Sequence, residues 1–298
     1  MPRTCLGFGF RFVLTLVIGA LFAPLAIAQQ TTTQASKSRQ PVTARRPLAP
    51  GADTSREHPL VSVLDYARRE QAYLQDTQRD FTCRLIKRER INDILQDFQY
   101  IDMWGREEIR EGNRILQPMS IFLLFQAPKN VAGRRVLYVE GQNEGKMQVR
   151  NGGRHFDYVV VNVDPNGETA REESLVPITQ SGFNRILAQM IQILERDMRI
   201  DASGQNTKVE RIAGAKINKR PSSVVRITHP QKQEGLEFHI ANVFVDDELH
   251  VPVRVDLSLW PARPGQKPPI LAEYTYTELK LNVGIPDNVF TSAHVRGR

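Results

Sequence analysis

The feature that most constrains the fold is a strict apolar-polar alternation close to the C-terminus. Apolar side chains occupy every second position of one short run: Val251, Val253, Val255, Leu257 and Leu259. Successive side chains of a β-strand point to opposite faces, so this run predicts a strand with one buried face and one wet face. Strand-like runs flank it within residues 238–290, which predicts an antiparallel meander whose apolar face needs a partner.

The N-terminal residues predict export. Arg3 and Arg11 precede an apolar run from Phe12 to Ile27, which ends in Ala26-Ile27-Ala28. A basic start, a short hydrophobic stretch and an A-x-A site are typical of a cleaved secretory signal, predicted here over residues 1–28. An uncleaved anchor is the alternative, although a membrane span needs roughly 20 apolar residues. We therefore expect an exported protein of the periplasm or cell envelope of a bacterium.

Residues 29–57 predict a disordered, basic linker. The stretch is rich in Gln, Thr, Ser, Ala and Pro, has no apolar periodicity and carries more Lys and Arg than acidic residues. Such a composition buries too little apolar surface to fold. Its charge, part of a formal net charge of +7 for the chain, fits a solvated tether or contact with an anionic membrane surface. Nucleic acid is not an expected partner, because no basic-aromatic motif occurs.

The cysteines bear on how the domain is stabilised. Loss of the signal removes Cys5 and leaves Cys83 alone, so no intramolecular disulfide is expected. An exported domain without disulfides relies on the size of its hydrophobic core. Cys83 lies between Phe81 and Leu85 on the apolar side of a predicted strand, which favours a buried and unreactive thiol.

Residues 58–292 predict a single α+β domain with a curved antiparallel sheet and helices packed on its concave face. Apolar spacing predicts a helix over about Pro59 to Gln78, and a second helix over Phe183 to Leu194 with Thr179 or Ser181 as its N-cap. Besides the meander, strands are predicted at residues 81–91, 97–104, 121–125, 135–140, 146–150, 206–216, 222–228 and 236–246.

Several short motifs occur in a fixed order between His58 and Phe290. They are Val139-Glu140-Gly141-x-Asn143-x-Gly145-Lys146-Met147, Pro177-Ile178-Thr179, Arg196-Asp197, Thr228-His229-Pro230, Phe238-His239-x-Ala241, Asp246-Asp247-x-Leu249, Trp260-Pro261 and Glu273-Tyr274-Thr275-Tyr276-Thr277. Together these motifs resemble the family of exported bacterial proteins catalogued as domain of unknown function 1571. That resemblance implies export but no assigned activity.

The order of the predicted elements is also similar to the outer-membrane lipoprotein carrier superfamily of LolA, LolB and RseB. It includes a final strand that runs into Pro286-Asp287-x-x-Phe290. The similarity implies an unclosed β-barrel whose concave face is covered by helices and binds acyl chains. No lipoprotein-binding residue of that superfamily can be transferred to a position in this chain.

The expected function is non-enzymatic binding. The sequence contains no G-x-S-x-G, H-E-x-x-H, Walker or zinc-ligand pattern, so we assign no catalytic residue, metal or cofactor. We expect a carrier or sensor that holds a lipid or a lipoprotein acyl chain in an apolar cavity between sheet and helices. The candidate lining residues are large and apolar: Trp104, Phe183, Met190, Ile191, Phe238, Ile240 and Phe244.

Two alternatives remain at the level of sequence. One is a metal-assisted hydrolase of the cell envelope that uses His229, His239 and Asp246, although Asp246-Asp247 is also typical of a hairpin turn. The other is a structural envelope protein whose sheet is fully packed and binds another protein. Arg84, Arg88 and Arg90 alternate on the polar face of the first strand, which predicts either a solvated face or contact with a headgroup or acidic partner.

Overall fold

The computed structural model describes residues 57–152 and 159–297. The predicted signal and residues 29–56 of the predicted linker lie outside the described residues. The helices are α1 (Val61–Thr77), α2 (Glu168–Arg171), α3 (Phe183–Ile200) and α4 (Ser292–Arg296). The strands are β1 (Asp80–Ile91), β2 (Ile94–Leu95), β3 (Gln99–Arg106), β4 (Ile109–Glu111), β5 (Arg114–Gln117), β6 (Ser120–Ala127), β7 (Arg135–Val139), β8 (Met147–Arg150), β9 (Val160–Val163), β10 (Lys208–Ile217), β11 (Arg220–Thr228), β12 (Ile240–Asp246), β13 (Pro252–Ser258) and β14 (Ile270–Leu281). No described helix is long and apolar enough to cross a membrane.

Twelve of the strands in the described residues form one sheet with antiparallel pairing throughout. The spatial order is β10-β11-β12-β13-β14-β1-β3-β6-β7-β8-β9, with β2 beside β1, and β4 and β5 form a separate hairpin. Because β9 and β10 lie at opposite edges and do not pair, the sheet is open. The predicted α+β fold class, with an unclosed antiparallel sheet and helices against it, is confirmed.

Helices α1 and α3 pack on the same face of the sheet, which we call the inner face. Two buried clusters form beneath them. The main core joins Leu74 of α1 and Phe183 of α3 to apolar side chains of β1, β3, β6 and β7. The second core joins Leu64 of α1 and Leu194 of α3 to Ile227 of β11 and to side chains of β12. The two helices therefore cover the sheet through two separate apolar contacts.

A close approach in the main core depends on glycine. Phe81 of β1 pairs with Gly105 of β3, and the Phe81 ring also meets Phe183 of α3 edge-on, with 4.8 Å between ring centroids. A Cβ at Gly105 would lie 2.3 Å from the Phe81 ring. The missing side chain is what lets this ring lie across the neighbouring strand and reach α3.

The amphipathic pattern predicted α3 correctly, but the predicted N-cap was wrong. The helix begins after Gly182, and no side chain of Thr179 or Ser181 caps it. Instead, the buried Glu107 carboxylate from the connection after β3 accepts a hydrogen bond from Asn184 N at 3.4 Å. A Cβ at Gly182 would lie 2.9 Å from Glu107 Oε2. A carboxylate distant in sequence thus takes the place of the local cap, and it suits the positive end of the helix dipole.

The outer face of the sheet is covered in part by the C-terminal segment, residues 285–297. Phe122 of β6 and Leu137 of β7 pack there against Phe290 and Val295. Asp80, at the start of β1, fixes the entry to this segment, because its carboxylate accepts N–H bonds from residues 283, 284 and 285. Packing therefore continues past residue 292, where the predicted domain ends, as far as the buried Val295 of helix α4.

The strand predictions agree closely with the structure. The opening alternation is β13, and the Asp246-Asp247 turn joins β12 to β13, with Asp246 Oδ1 accepting N–H bonds from Glu248 and Leu249. The helix predicted from Pro59 is α1. The strand predicted from Leu236 begins only at Ile240, and the short strands β2, β4, β5 and β9 were not predicted. One-sided alternation and compact turns were the signals that located these elements.

Candidate ligand-binding site

The strand register identifies which side chains face the helices at mid-sheet. Val225 of β11 pairs with Val243, Val243 with Val255, Val255 with Tyr274, and Tyr274 with Lys87. Residues opposite each other on antiparallel strands share a face. Because Val225 belongs to the second core under α1 and α3, this whole cross-strand row lies on the inner face.

The helices leave part of the inner face uncovered. Ala241 is only 4% exposed, whereas Val243, Val255 and Leu257 beside it are half-buried. Leu257 borders the second core, and Leu85 of β1 borders the main core. The uncovered strip therefore runs between the two cores. We call it the inner trough, and it consists of Leu85, Met190, Val243, Val255, Leu257 and Tyr276, all apolar or aromatic and all half-buried.

A compact polar cluster ends the inner trough on β1 and β14. Lys87 Nζ donates to Glu89 Oε2 at 2.8 Å and to Ser174 Oγ at 2.8 Å. Tyr274 Oη donates to Glu89 Oε1 at 2.6 Å, and Ser174 Oγ contacts the same oxygen at 3.2 Å. We call these four residues the Lys87 cluster. Lys87 and Glu89 lie two positions apart on β1, so alternation places both on the inner face.

The Lys87 cluster is electrostatically unusual for an apolar face. Lys87 is 8% exposed and Glu89 is 2% exposed, and an ion pair so deeply buried gains little net stability over an apolar pair. Burial and then the Glu89 carboxylate raise the pKa of Tyr274 well above its ordinary value. Tyr274 therefore remains a hydrogen-bond donor at physiological pH. The cluster presents fixed polar groups at the end of an apolar strip.

Three of the predicted lining residues lie in the buried cores. Phe183 is fully buried in the main core, with its ring centroid 5.3 Å from that of Tyr276. Ile191 and Phe238 are buried in the second core. Met190 is half-buried on α3 beside the main core, and it is the predicted residue that belongs to the inner trough.

The other three predicted lining residues lie outside the inner trough. Trp104 packs against Phe122 on the outer face of the sheet, with 5.5 Å between ring centroids. Ile240 and Phe244 alternate with Ala241 along β12, so they lie on the opposite side of this strand from the second core. Phe244, near the end of the strand, also borders the main core. The single sequence did not distinguish the two faces of β3 and β12, because both carry apolar side chains.

The structure does not bring the proposed hydrolase residues together. Ser222 pairs with Asp246, whereas Ile240 pairs with Thr228, next to His229. Six residues of extended strand separate the two pairs, a distance of about 20 Å. His229 and Asp246 therefore cannot share one metal ion, and the predicted set of metal ligands is wrong. Within the described residues, no group of three or more His, Cys, Asp or Glu side chains is arranged to hold a metal.

The two histidines belong instead to a buried hydrogen-bond network. His229 is fully buried, and its Nε2 lies 3.3 Å from Asp197 Oδ2. The His229 carbonyl accepts a hydrogen bond from Trp260 Nε1 at 2.8 Å and lies 2.8 Å from His239 Nδ1. Arg196 Nε donates to Asp197 Oδ1 at 3.1 Å. Four of the motifs noted in the sequence thus meet here, where they join α3 to the ends of β11 and β13.

The three arginines of β1 lie on the outer face, as their alternation predicts. Arg84 Nε donates to Asp102 Oδ1 at 2.8 Å, and Arg90 Nε donates to the Ile270 carbonyl at 2.8 Å. Arg88 forms an ion pair with Glu273. Each guanidinium therefore already has a partner within the sheet, and the arginines first stabilise strand pairing.

One family comparison decides the relationship of this chain to known proteins. The model of the family described as "Protein of unknown function (DUF1571)" matches residues 78–296. The chain belongs to this family. The match runs from the start of β1 to the end of α4, so the DUF1571 region contains the whole sheet, α3 and the covered outer face. A comparison with curated proteins finds no match.

Solved structures similar to this DUF1571 protein share little sequence with it. A chain in the complex structure of Pseudomonas aeruginosa MucA/MucB is 14% identical with a TM-score of 0.44, and the match covers 79% of this chain and 62% of that chain. Mycobacterium tuberculosis lipoprotein LppX is 14% identical with a TM-score of 0.38, covering 76% and 98%. A LolA superfamily protein from Nitrosomonas europaea is 10% identical with a TM-score of 0.32, also covering 76% and 98%.

Proposed function

We propose that this DUF1571 protein is an exported, non-enzymatic binding protein that holds an amphiphilic lipid on the inner face of its sheet. The observation that supports this function is the inner trough. Apolar side chains in the middle of a helix-covered face are normally buried, yet Val243 and Val255 are only half-buried between two closed cores. An acyl chain in this strip would remove them from water.

The energetics favour an alkyl chain as the occupant. Each CH₂ group removed from water contributes about 0.8 kcal/mol, so a few methylenes along the cross-strand row give useful affinity. Met190 on α3 adapts its shape to a flexible chain. A carrier and a sensor would both hold a lipid in this way. Both roles agree with export through the signal predicted at residues 1–28.

The Lys87 cluster fits the head group of such a ligand. A hydroxyl or amide head group that displaces Ser174 Oγ would accept a hydrogen bond from Lys87 Nζ and donate one to Glu89 Oε1 in its place. We therefore expect amphiphiles with a hydroxyl or amide head group to bind more tightly than anionic amphiphiles of the same chain length, because the Glu89 carboxylate repels an anion.

Binding of lipid by the purified protein tests this function. Native mass spectrometry should detect co-purified lipid, and a fluorescent fatty acid should bind to delipidated protein. Val255→Trp fills the trough, so the affinity for the probe should fall about tenfold, a change of about 1.4 kcal/mol in binding free energy. Ile212→Trp adds the same ring at an exposed position of β10 and should leave binding unchanged.

The comparison of head groups is the second arm of this experiment. A fatty alcohol should compete with the probe more strongly than the fatty acid of equal chain length. A protein that is free of lipid and does not bind the probe would contradict the proposed function. Probe binding that Val255→Trp leaves intact would exclude the inner trough as the site.

A further inference from the structure

A cavity lies on the outer face of the sheet, on the other side from the inner trough. It has a volume of about 480 Å³ and opens between strands β7 and β8 and the C-terminal segment. Its apolar floor consists of Leu137, Val139 and Phe290. Its remaining lining is polar: Gln142, Asn143, Lys146, Gln148, Thr291 and Ser292. We call this the outer cavity, and its size falls in the usual range for small-ligand sites.

The turn that borders the outer cavity has a backbone conformation that side-chain hydrogen bonds stabilise. Residues Asn143, Glu144 and Gly145 all have positive φ angles, of 50°, 56° and 76°. Asn143 Nδ2 donates to the Lys146 carbonyl at 2.9 Å and to Asn162 Oδ1 at 3.1 Å. This turn is the centre of the longest motif noted in the sequence, residues 139–147. The motif therefore builds one wall of the cavity in a fixed geometry.

One acceptor in the cavity wall lacks a partner. Gln148 Oε1 is buried and accepts no hydrogen bond in the described structure. A buried acceptor without a donor costs about 1–3 kcal/mol. Rotation of the Gln148 amide toward the cavity would let a ligand hydroxyl or N–H group recover that loss. Lys146 is the charged residue of the lining, and its Nζ lies 3.2 Å from Glu144 Oε2 in an exposed ion pair. Such a pair contributes little stability, so an acidic group of a ligand can take the place of Glu144.

We propose that the outer cavity binds a short saccharide with an acidic substituent. Amide and hydroxyl side chains both donate and accept hydrogen bonds, which matches the alternating donors and acceptors of a sugar ring. Gln148 Oε1 would accept from a sugar hydroxyl, and Lys146 Nζ would contact the acidic group. This site shares no residue with the inner trough, so it does not depend on the proposed lipid function.

Saturation-transfer NMR with the full-length protein tests the proposal. A uronic-acid disaccharide and its neutral counterpart serve as probes. The acidic disaccharide should bind with a dissociation constant of about 1 mM or lower. Gln148→Leu should weaken binding of both sugars about tenfold, whereas Lys146→Met should weaken only the acidic sugar.

The controls separate the outer cavity from general surface binding. Lys129→Met removes an exposed positive charge on a different loop and should change neither affinity. Absence of binding by both disaccharides at about tenfold excess over the expected dissociation constant would overturn the proposal. Equal binding by wild-type and Gln148→Leu, with both proteins folded by circular dichroism, would also overturn it.

Discussion

At the residue scale, the Phe81 ring occupies the space in which a side chain at Gly105 would lie. Gly105→Ala would place a Cβ 2.3 Å from that ring, and the ring cannot withdraw because Phe183 packs on it. Overpacking of this kind costs about 1–3 kcal/mol. Urea denaturation should show this loss in the free energy of unfolding.

A second substitution checks that the cost at Gly105 comes from the ring. Phe81→Leu replaces the ring with a smaller side chain, so Gly105→Ala should cost less in that background. The two substitutions should couple by about 1 kcal/mol in a double-mutant cycle. If Gly105→Ala is equally costly in the Phe81→Leu variant and in the wild-type protein, then steric contact is not the reason for glycine at this position.

Single residues also show where the sequence could not reveal the site. Alternation along β1 places Lys87 on the inner face, yet a lysine at that position does not indicate burial by itself. Its burial depends on Glu89, on Tyr274 across the strand pair, and on Ser174 from a distant connection. Contacts between such distant segments follow from the tertiary fold and leave no periodic pattern in the chain.

At the element scale, the start of α3 gives the protein a specific pH dependence. Burial raises the pKa of Glu107, although N–H groups of Asn184 and Phe183 partly oppose the shift. The folded protein therefore holds this proton more strongly than the unfolded chain does. The free energy of unfolding should decrease as pH rises from the ordinary pKa of 4.5 to the raised value.

Glu107→Gln removes the charge and keeps an acceptor for the helix. The variant should be more stable than wild-type at about pH 7, and the two stabilities should converge near pH 4. Glu108→Gln is the matched control with the opposite sign, because a hydrogen bond from Arg110 lowers the pKa of Glu108. Denaturant titrations across this pH range measure both. A larger Glu107→Gln gain at about pH 4 than at about pH 7 would contradict the assignment.

Elements with a one-sided pattern were predictable, and elements defined by distant partners were not. The alternation of β13 and the apolar stripe of α3 follow from periodicity alone. The cap of α3 comes from Glu107, 77 positions from Asn184, and local sequence cannot indicate it. For β12, apolar residues on both faces concealed which side meets the helices, so the sequence did not reveal that Ile240 and Phe244 lie across the strand from the second core.

At the scale of the whole molecule, the sheet is covered on both sides by different parts of the chain. The C-terminal segment covers the outer face, and Val295 in α4 is fully buried there. Val295→Ala should lower the free energy of unfolding by about 2 kcal/mol through lost burial and a residual cavity. Val283→Ala, at a residue 43% exposed, should change it by less than about 0.5 kcal/mol.

Thermal and urea denaturation of the two valine variants give the comparison. Equal losses would mean that the C-terminal segment does not stabilise the sheet through α4. The sequence motif Pro286-Asp287-x-x-Phe290 indicated that this segment matters. It did not indicate that residues beyond it seal Phe122 and Leu137 from water.

The centre of the sheet joins the first long strand to the last. Phe81 of β1 pairs with Leu281 of β14, and Asp80 holds the chain that follows β14. Loop closure over so long a separation is slow, and it cannot begin until the ribosome has released β14. A chain that crosses a membrane unfolded gains time from this order of synthesis. Completion of the sheet therefore waits for the synthesis of β14, an order that suits the export proposed above.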